Sequence, residues 1–113
     1  MKLTAIITGA SDGIGKELTF SFARRGYALG LLARRKEKLE EVKAQALSLG
    51  APKVFCESAD VADYTLARQK ISQLDADLGG TEIFIANAGV DVQMNPLLDI
   101  VVSSRQFCMY VCR

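Results

Sequence analysis

The sequence predicts an α/β domain built on a parallel sheet. Three observations carry that expectation. Short apolar runs of strand length recur along the chain, segments of helical period separate them, and glycine or proline marks the junctions. Strands alternating with helices require crossover connections, which are right-handed and set neighbouring strands parallel. The chain has 113 residues, half of them hydrophobic, which suits one domain with a core of its own. Residues 1–113 are accordingly read as a single unit.

Residues 3–8 (Leu-Thr-Ala-Ile-Ile-Thr) form the first apolar run, rich in β-branched side chains and ended by Gly9. That pattern suits a strand covered on both faces. Ile14, Leu18, Phe22 and Ala23 then recur at helical spacing, and Gly26 supplies the stop. Residues 27–33 read as a second buried strand. Over 36–49, Leu39, Val42, Ala46 and Leu49 line one helix face while lysine and glutamate occupy the other. A third strand fits 53–57. A helix over 63–78 carries Leu66, Ile71, Leu74 and Leu78 as its buried positions and ends at Gly79-Gly80, and residues 82–86 make the fourth strand. The tail supports two readings. Pro96 to Ile100 can open a helix continued by Phe107 and Tyr110 or Val111, but Ile100-Val101-Val102 and Met109-Tyr110-Val111-Cys112 also suit strands. Periodicity does not separate them, so the structure of 97–113 stays open.

Composition excludes several classes. Fourteen basic and thirteen acidic residues leave a net charge of +1, no basis for binding nucleic acid or an anionic membrane. No run approaches the roughly 20 apolar residues of a membrane span. The apolar stretch after Met1-Lys2 is too short, and broken too soon by glycine, for a secretory leader. Three cysteines and no histidine argue against a disulfide framework and against an ordinary zinc site. Reduced thiols in a cytoplasmic protein are expected.

The segment Thr8-Gly9-Ala10-Ser11-Asp12-Gly13-Ile14-Gly15 lies between the first strand and the first helix. Small residues there let the backbone approach a pyrophosphate, and the helix start offers free N–H groups and the positive end of its dipole. A plain strand-to-helix turn would need glycine as well, but three glycines in this context favour the phosphate. The Gly-x-x-x-x-Gly-Lys-Ser/Thr loop of nucleoside triphosphatases does not fit. Its leading glycine would fall on Ala10 and its hydroxyl residue on Glu17.

Glycines at 9, 13 and 15 also differ in spacing from the common Gly-x-Gly-x-x-Gly fingerprint. With Thr8 and Ile14 they resemble the cofactor motif of the short-chain dehydrogenase/reductase family. Asp60-Val61 and Asn87-Ala88-Gly89 match two further motifs of that family, in order and on the expected elements. The resemblance spans residues 3–89. It implies a Rossmann-like sheet of strand order 3-2-1-4, with a dinucleotide across the carboxyl ends of the strands. In the roles it implies, Gly9, Gly13 and Gly15 shape the pyrophosphate turn, Ser11 and Asp12 line it, and Ile14 packs beside the cofactor. Asp60 would bond the adenine amino group with Val61 against the ring; a helix N-cap or turn residue is the alternative for Asp60. Asn87 would brace the strand ends, with Ala88 and Gly89 leaving room for the ribose.

An NAD site usually ends its second strand with a carboxylate that accepts from the ribose 2′-hydroxyl. Here Ala33-Arg34-Arg35 stands in that place. A guanidinium cannot accept, but it pairs well with a 2′-phosphate. NADP(H) is therefore expected over NAD, with Arg34 the closer contact and Arg35 or Ser11 assisting. An exposed basic helix start is the plainer reading of the same arginines.

Family chemistry is hydride transfer between nicotinamide and a carbonyl or alcohol, using a Tyr-x-x-x-Lys pair. Tyr27 is followed at that offset by Leu31 and Tyr64 by Arg68, while Tyr110 lies too near the last residue for the test. No asparagine follows Asn95, and Ser103 and Ser104 take no role. The expectation is the cofactor-binding part of a short-chain oxidoreductase, truncated before its catalytic half and not catalytic by itself. A non-enzymatic dinucleotide-binding module and a non-functional fragment are the alternatives. The helices this family uses for dimerisation would also be missing, which leaves oligomerisation open. Unless the tail covers it, the fourth strand would be an open edge exposing Ile83, Phe84 and Ile85, and the fold would be marginally stable.

Overall fold

A computed structural model describes residues 3–11, 13–60, 63–86 and 108–111. Five parallel strands form one sheet in the order β3-β2-β1-β4-β5. They are β1 (Thr4–Thr8), β2 (Ala28–Ala33), β3 (Val54–Ser58), β4 (Ile83–Ala86) and β5 (Cys108–Val111), and the helices are α1 (Gly13–Arg24), α2 (Lys36–Leu49) and α3 (Tyr64–Leu78). The expected order 3-2-1-4 is present, extended by one strand. The expected boundaries hold to within a residue for the strands and helices from β1 to β4.

The two sides of the sheet follow the period of the strand. Ala5 and Ile7 of β1, Leu29 and Leu31 of β2 and Ile85 of β4 pack with Phe20 and Ala23 of α1 and Leu39, Val42 and Ala46 of α2. On the opposite side Ile6, Leu32 and Phe84 pack with Ala67, Ile71, Leu74 and Leu78 of α3. Both faces of the central strands are therefore covered, which is why they read as continuous apolar runs. Gly30 of β2 faces α3 so closely that an added Cβ would lie 3.2 Å from Leu74 Cβ and 3.3 Å from Ile6 Cγ1.

Two expectations need correction. The buried stripe of α1 is Gly15, Thr19, Phe20 and Ala23, whereas Ile14 is 57% exposed and Leu18 and Phe22 are only partly buried. Thr19 enters the core because its hydroxyl donates to Gly15 O at 2.8 Å, so no buried donor is left unpaired. The open β4 edge is also overturned. Ile83 to Ala86 pair in parallel with Cys108 to Val111, and Phe84 is fully buried with Ile85 at 2% exposure. Over 108–111 the tail takes its strand reading.

Buried threonines tie β4 to β1 as well. The Glu82 N–H donates to Thr4 Oγ1 at 3.0 Å, and Thr8 Oγ1 donates to Ile85 O at 3.4 Å. Asp63 caps α3, its carboxylate accepting from the Leu66 N–H. Gly79 closes the helix in the left-handed conformation. Among the described residues no helix is long and apolar enough to cross a membrane.

Candidate functional site

Because all five strands run parallel, their carboxyl ends lie along one margin of the sheet. There β1 hands over to the glycine turn, β2 to Arg34 and Arg35, and β3 to Ala59 and Asp60. Backbone hydrogen bonds fasten these exits together. Gly9 N donates to Leu32 O at 2.8 Å, and Ala59 N donates to Ala33 O at 3.1 Å. Ser58 Oγ donates to Arg34 O at 2.8 Å, fixing the first residue beyond β2.

The turn has the conformation its glycines permit. Gly9 and Gly13 adopt φ of 66° and 56°, a region most side chains avoid. Gly13 is exposed, and among the described residues no heavy atom beyond its chain neighbours and the backbone of α1 lies within 4 Å of where its Cβ would be. Packing inside the protein therefore does not demand a glycine there. Helix α1 starts at this residue and carries no acidic side chain in its first turn. Gly15 is buried on the sheet side of α1, and Ile14 stands exposed at its start. Glycines of positive φ leading into a helix start fit a diphosphate.

Arg34 and Asp60 are brought together across the β2 and β3 exits, although 26 residues apart in sequence. Arg34 Nη1 lies 4.0 Å from Asp60 Oδ2, with the side chains 73% and 52% exposed. A pair so long and so open to solvent contributes little and exchanges readily for another partner. Asp60 is not the cap of α3, a role held by Asp63. Its backbone carbonyl instead accepts from Asp63 N at 2.9 Å, closing a turn. Arg35 is exposed at the N-cap of α2 and makes no side-chain capping bond. Ser11 is half-buried in the turn. Asp12, Val61, Asn87, Ala88 and Gly89 lie outside the described residues.

A cleft of about 520 Å³ adjoins the turn between α1 and α2, and sequence reading did not find it. Lys16 and Lys38 line it together with Ser11, Glu41 and Gln45. Lys38 sits in an ordinary amphipathic pattern, so no sequence signal distinguishes it from the other lysines of α2.

Cys56 lies on the far side of α2, its thiol 3.7 Å from Leu39 O. Burial, followed by the nearby Glu40 carboxylate, pushes this thiol up to about 11. It is protonated at neutral pH and unsuited to act as a nucleophile.

Comparison with known proteins agrees with the architecture. A family model described as short chain dehydrogenase matches residues 3–109. The chain is 42% identical over 82 residues to a hydroxysteroid 11-beta-dehydrogenase 1-like protein of Xenopus tropicalis, covering 73% of this chain and 29% of that one. It is 40% identical over 85 residues to 11-beta-hydroxysteroid dehydrogenase A of Sesamum indicum, covering 75% and 24%. The chain thus spans less than a third of the length of these relatives. Among solved structures, an alcohol dehydrogenase of the archaeon Thermococcus sibiricus complexed with 5-hydroxy-NADP superposes with a TM-score of 0.74 at 33% identity, covering 80% of this chain and 38% of that one. The NADPH-dependent reductase YwfH reaches 0.85 over 98% of this chain and 54% of that one, at an identity of 19% that speaks for the fold alone. With a family match across nearly all of its residues and a sheet of the same order, the chain belongs to the short-chain dehydrogenase family.

Proposed function

We propose that this chain forms the NADP(H)-binding part of a short-chain oxidoreductase that moves hydride between nicotinamide and a carbonyl or alcohol. The observation that carries the proposal is the turn after β1. Two glycines of positive φ lead into a helix without an acidic first turn, and no described residue beyond its own helix crowds the place of a Gly13 Cβ. N–H groups at such a helix start bind a pyrophosphate without reorganising. Gly9, Gly13 and Gly15 shape that cradle, Ser11 and Asp12 line it, and Ile14 lies against the cofactor. Asp60 and Val61 hold the adenine, Asn87 braces the strand ends, and Ala88 and Gly89 leave room for the ribose. When bound, the nicotinamide supplies the hydride.

Preference for NADP(H) rests on Arg34 and Arg35 standing where an NAD site would carry a carboxylate. The weak pair between Arg34 and Asp60 gives way to a 2′-phosphate, which offers the guanidinium a doubly charged acceptor. The Thermococcus sibiricus neighbour, solved with 5-hydroxy-NADP, supports the same choice. Calorimetric titration tests it, with NADPH expected to bind at least tenfold tighter than NADH. Arg34→Asp should abolish that preference. Equal binding of the two coenzymes, or an unchanged preference in Arg34→Asp, would overturn it.

A second reading is a dinucleotide-binding module that does no chemistry alone. It draws on Tyr27 and Tyr64, neither of which has a lysine four positions later. Cofactor binding without turnover on a panel of carbonyl compounds selects the module; coenzyme oxidation rules it out.

A further inference from the structure

We propose that Lys38, with Lys16 and Ser11 beside it, forms a second arm of 2′-phosphate recognition and so determines coenzyme specificity from the α1 side of the site. The proposal rests on the NADP(H) reading above and adds a specificity-determining residue to it.

The cleft between α1 and α2 is the starting point. Two lysines from different elements line it, Lys16 from the first turn of α1 and Lys38 from the start of α2, with Glu41 as the carboxylate among its lining residues. Its lining therefore carries a net charge of +1. Both lysines are half-buried and both contribute to the lining of the cleft. Ser11 belongs at once to the glycine turn and to this cleft, making the two spaces continuous.

The lysines of α2 are divided between its two sides. Lys36 and Lys43 lie near enough to Cys56 of β3 to favour its thiolate, which puts them on the side away from α1. Lys38 alone of the three lines the cleft. Arg34 in turn leans toward Asp60 at the β3 exit. A phosphate at the end of β2 would thus meet a guanidinium on the β3 side and an ammonium on the α1 side. Two cations on opposite sides neutralise a dianion better than one, and each charge-assisted hydrogen bond discriminates against a coenzyme lacking the phosphate.

Titration of the chain with NADPH and NADH, and with 2′,5′-ADP against 5′-AMP as minimal probes, tests the assignment. Lys38→Gln should lower the NADPH-to-NADH affinity ratio about tenfold, the low end for hydrogen bonds to charged groups, and Lys16→Gln should lower it by a smaller factor. Lys38→Arg keeps the charge and should retain most of the ratio. Lys43→Gln removes the same charge from the other side of α2 and should change the ratio less than twofold. Chemical denaturation of each variant checks that the fold is intact. If the parent chain prefers NADPH but Lys38→Gln keeps the full ratio, this proposal falls while the NADP(H) reading stands. If Lys43→Gln costs as much as Lys38→Gln, a general positive field is responsible and the proposal falls likewise. If the parent chain binds both coenzymes equally, or neither, the NADP(H) reading falls and takes this one with it.

Discussion

Replacing Gly13 by alanine separates the two reasons a glycine can occupy the turn after β1. One is conformational. Gly13 has φ 56°, and a side chain in the left-handed region costs about 1–2 kcal/mol, partly offset by the smaller entropy of the unfolded alanine chain. The net loss is about 1 kcal/mol, or a few degrees in Tm for a domain of this size. Nothing is added for packing, because the new Cβ meets no neighbour within 4 Å. The other reason is access. If the backbone here lies against a pyrophosphate, a methyl group pushes the anion away and weakens charge-assisted hydrogen bonds of about 1.5–3 kcal/mol each. Losing one such bond weakens coenzyme binding roughly 10- to 100-fold. Gly26 provides the matched control. Its φ is 83°, its Cβ would also meet nothing within 4 Å, and it lies between α1 and β2 at the opposite margin of the sheet. Gly26→Ala should lose similar stability and no affinity. Urea denaturation gives the first quantity and calorimetry the second. If both variants lose about 1 kcal/mol and both bind NADPH with the parent Kd, the turn is only a connection.

Three further outcomes follow from the packing. Gly30→Ala places a methyl group 3.2 Å from Leu74 Cβ and 3.3 Å from Leu78 Cδ1, and should destabilise by about 1–3 kcal/mol through overpacking; an unchanged urea midpoint would refute the tight seat of α3. Phe84→Ala empties a fully buried position under α3 and should cost about 3–5 kcal/mol, measured by the same denaturation; a loss below about 1 kcal/mol would mean that the face is not sealed. Cys56 carries a pH dependence. Its folded pKa of about 11 lies above the ordinary 9.0, so the native state holds this proton more tightly than the unfolded chain. The stabilisation is complete below pH 9 and declines as pH rises toward 11. Cys56→Ala should flatten that part of the stability profile relative to the parent chain, and parallel profiles would show that the thiol is not shielded.

How much of this was legible depended on whether a feature is local. β1 and β2 were readable because cover on both faces leaves an uninterrupted apolar run, and α2 because Leu39, Val42 and Ala46 repeat cleanly beneath a charged face. The glycine turn was readable because positive φ leaves a signature in residue type. The stripe of α1 was misread for a physical reason. A glycine and a threonine face the sheet, where close approach and a hydroxyl bonded back to its own helix replace bulk, while the more hydrophobic Ile14 stays outside. β5 has four residues and no turn signal of its own, so its pairing with β4 is decided by non-local hydrogen bonds. The approach of Arg34 to Asp60, and the shared lining of one cleft by Lys38 and Ser11, arise only once crossovers have stacked the strand exits on one margin.

That margin also explains how the specificity residue proposed above can be both exposed and well placed. The Arg34 carbonyl accepts from Ser58 Oγ, and the carbonyl just before it, on Ala33, accepts from Ala59 N. Two bonds from β3 thereby hold the backbone at the end of β2 while the guanidinium projects into solvent beside Asp60. Little order remains to be created at the backbone when an anion arrives, so most of the discrimination between coenzymes falls to the side chain. The same geometry limits a simple charge reversal. An aspartate at position 34 would face Asp60, and two neighbouring carboxylates repel one another as well as a phosphate. Arg34→Asp alone should therefore lose NADPH without gaining NADH in full. Adding Asp60→Asn would relieve the repulsion, though with loss of the carboxylate assigned to the adenine. On the proposed reading, coenzyme choice at this margin would be a property of the pair, because Arg34 and Asp60 approach one another across the β2 and β3 exits.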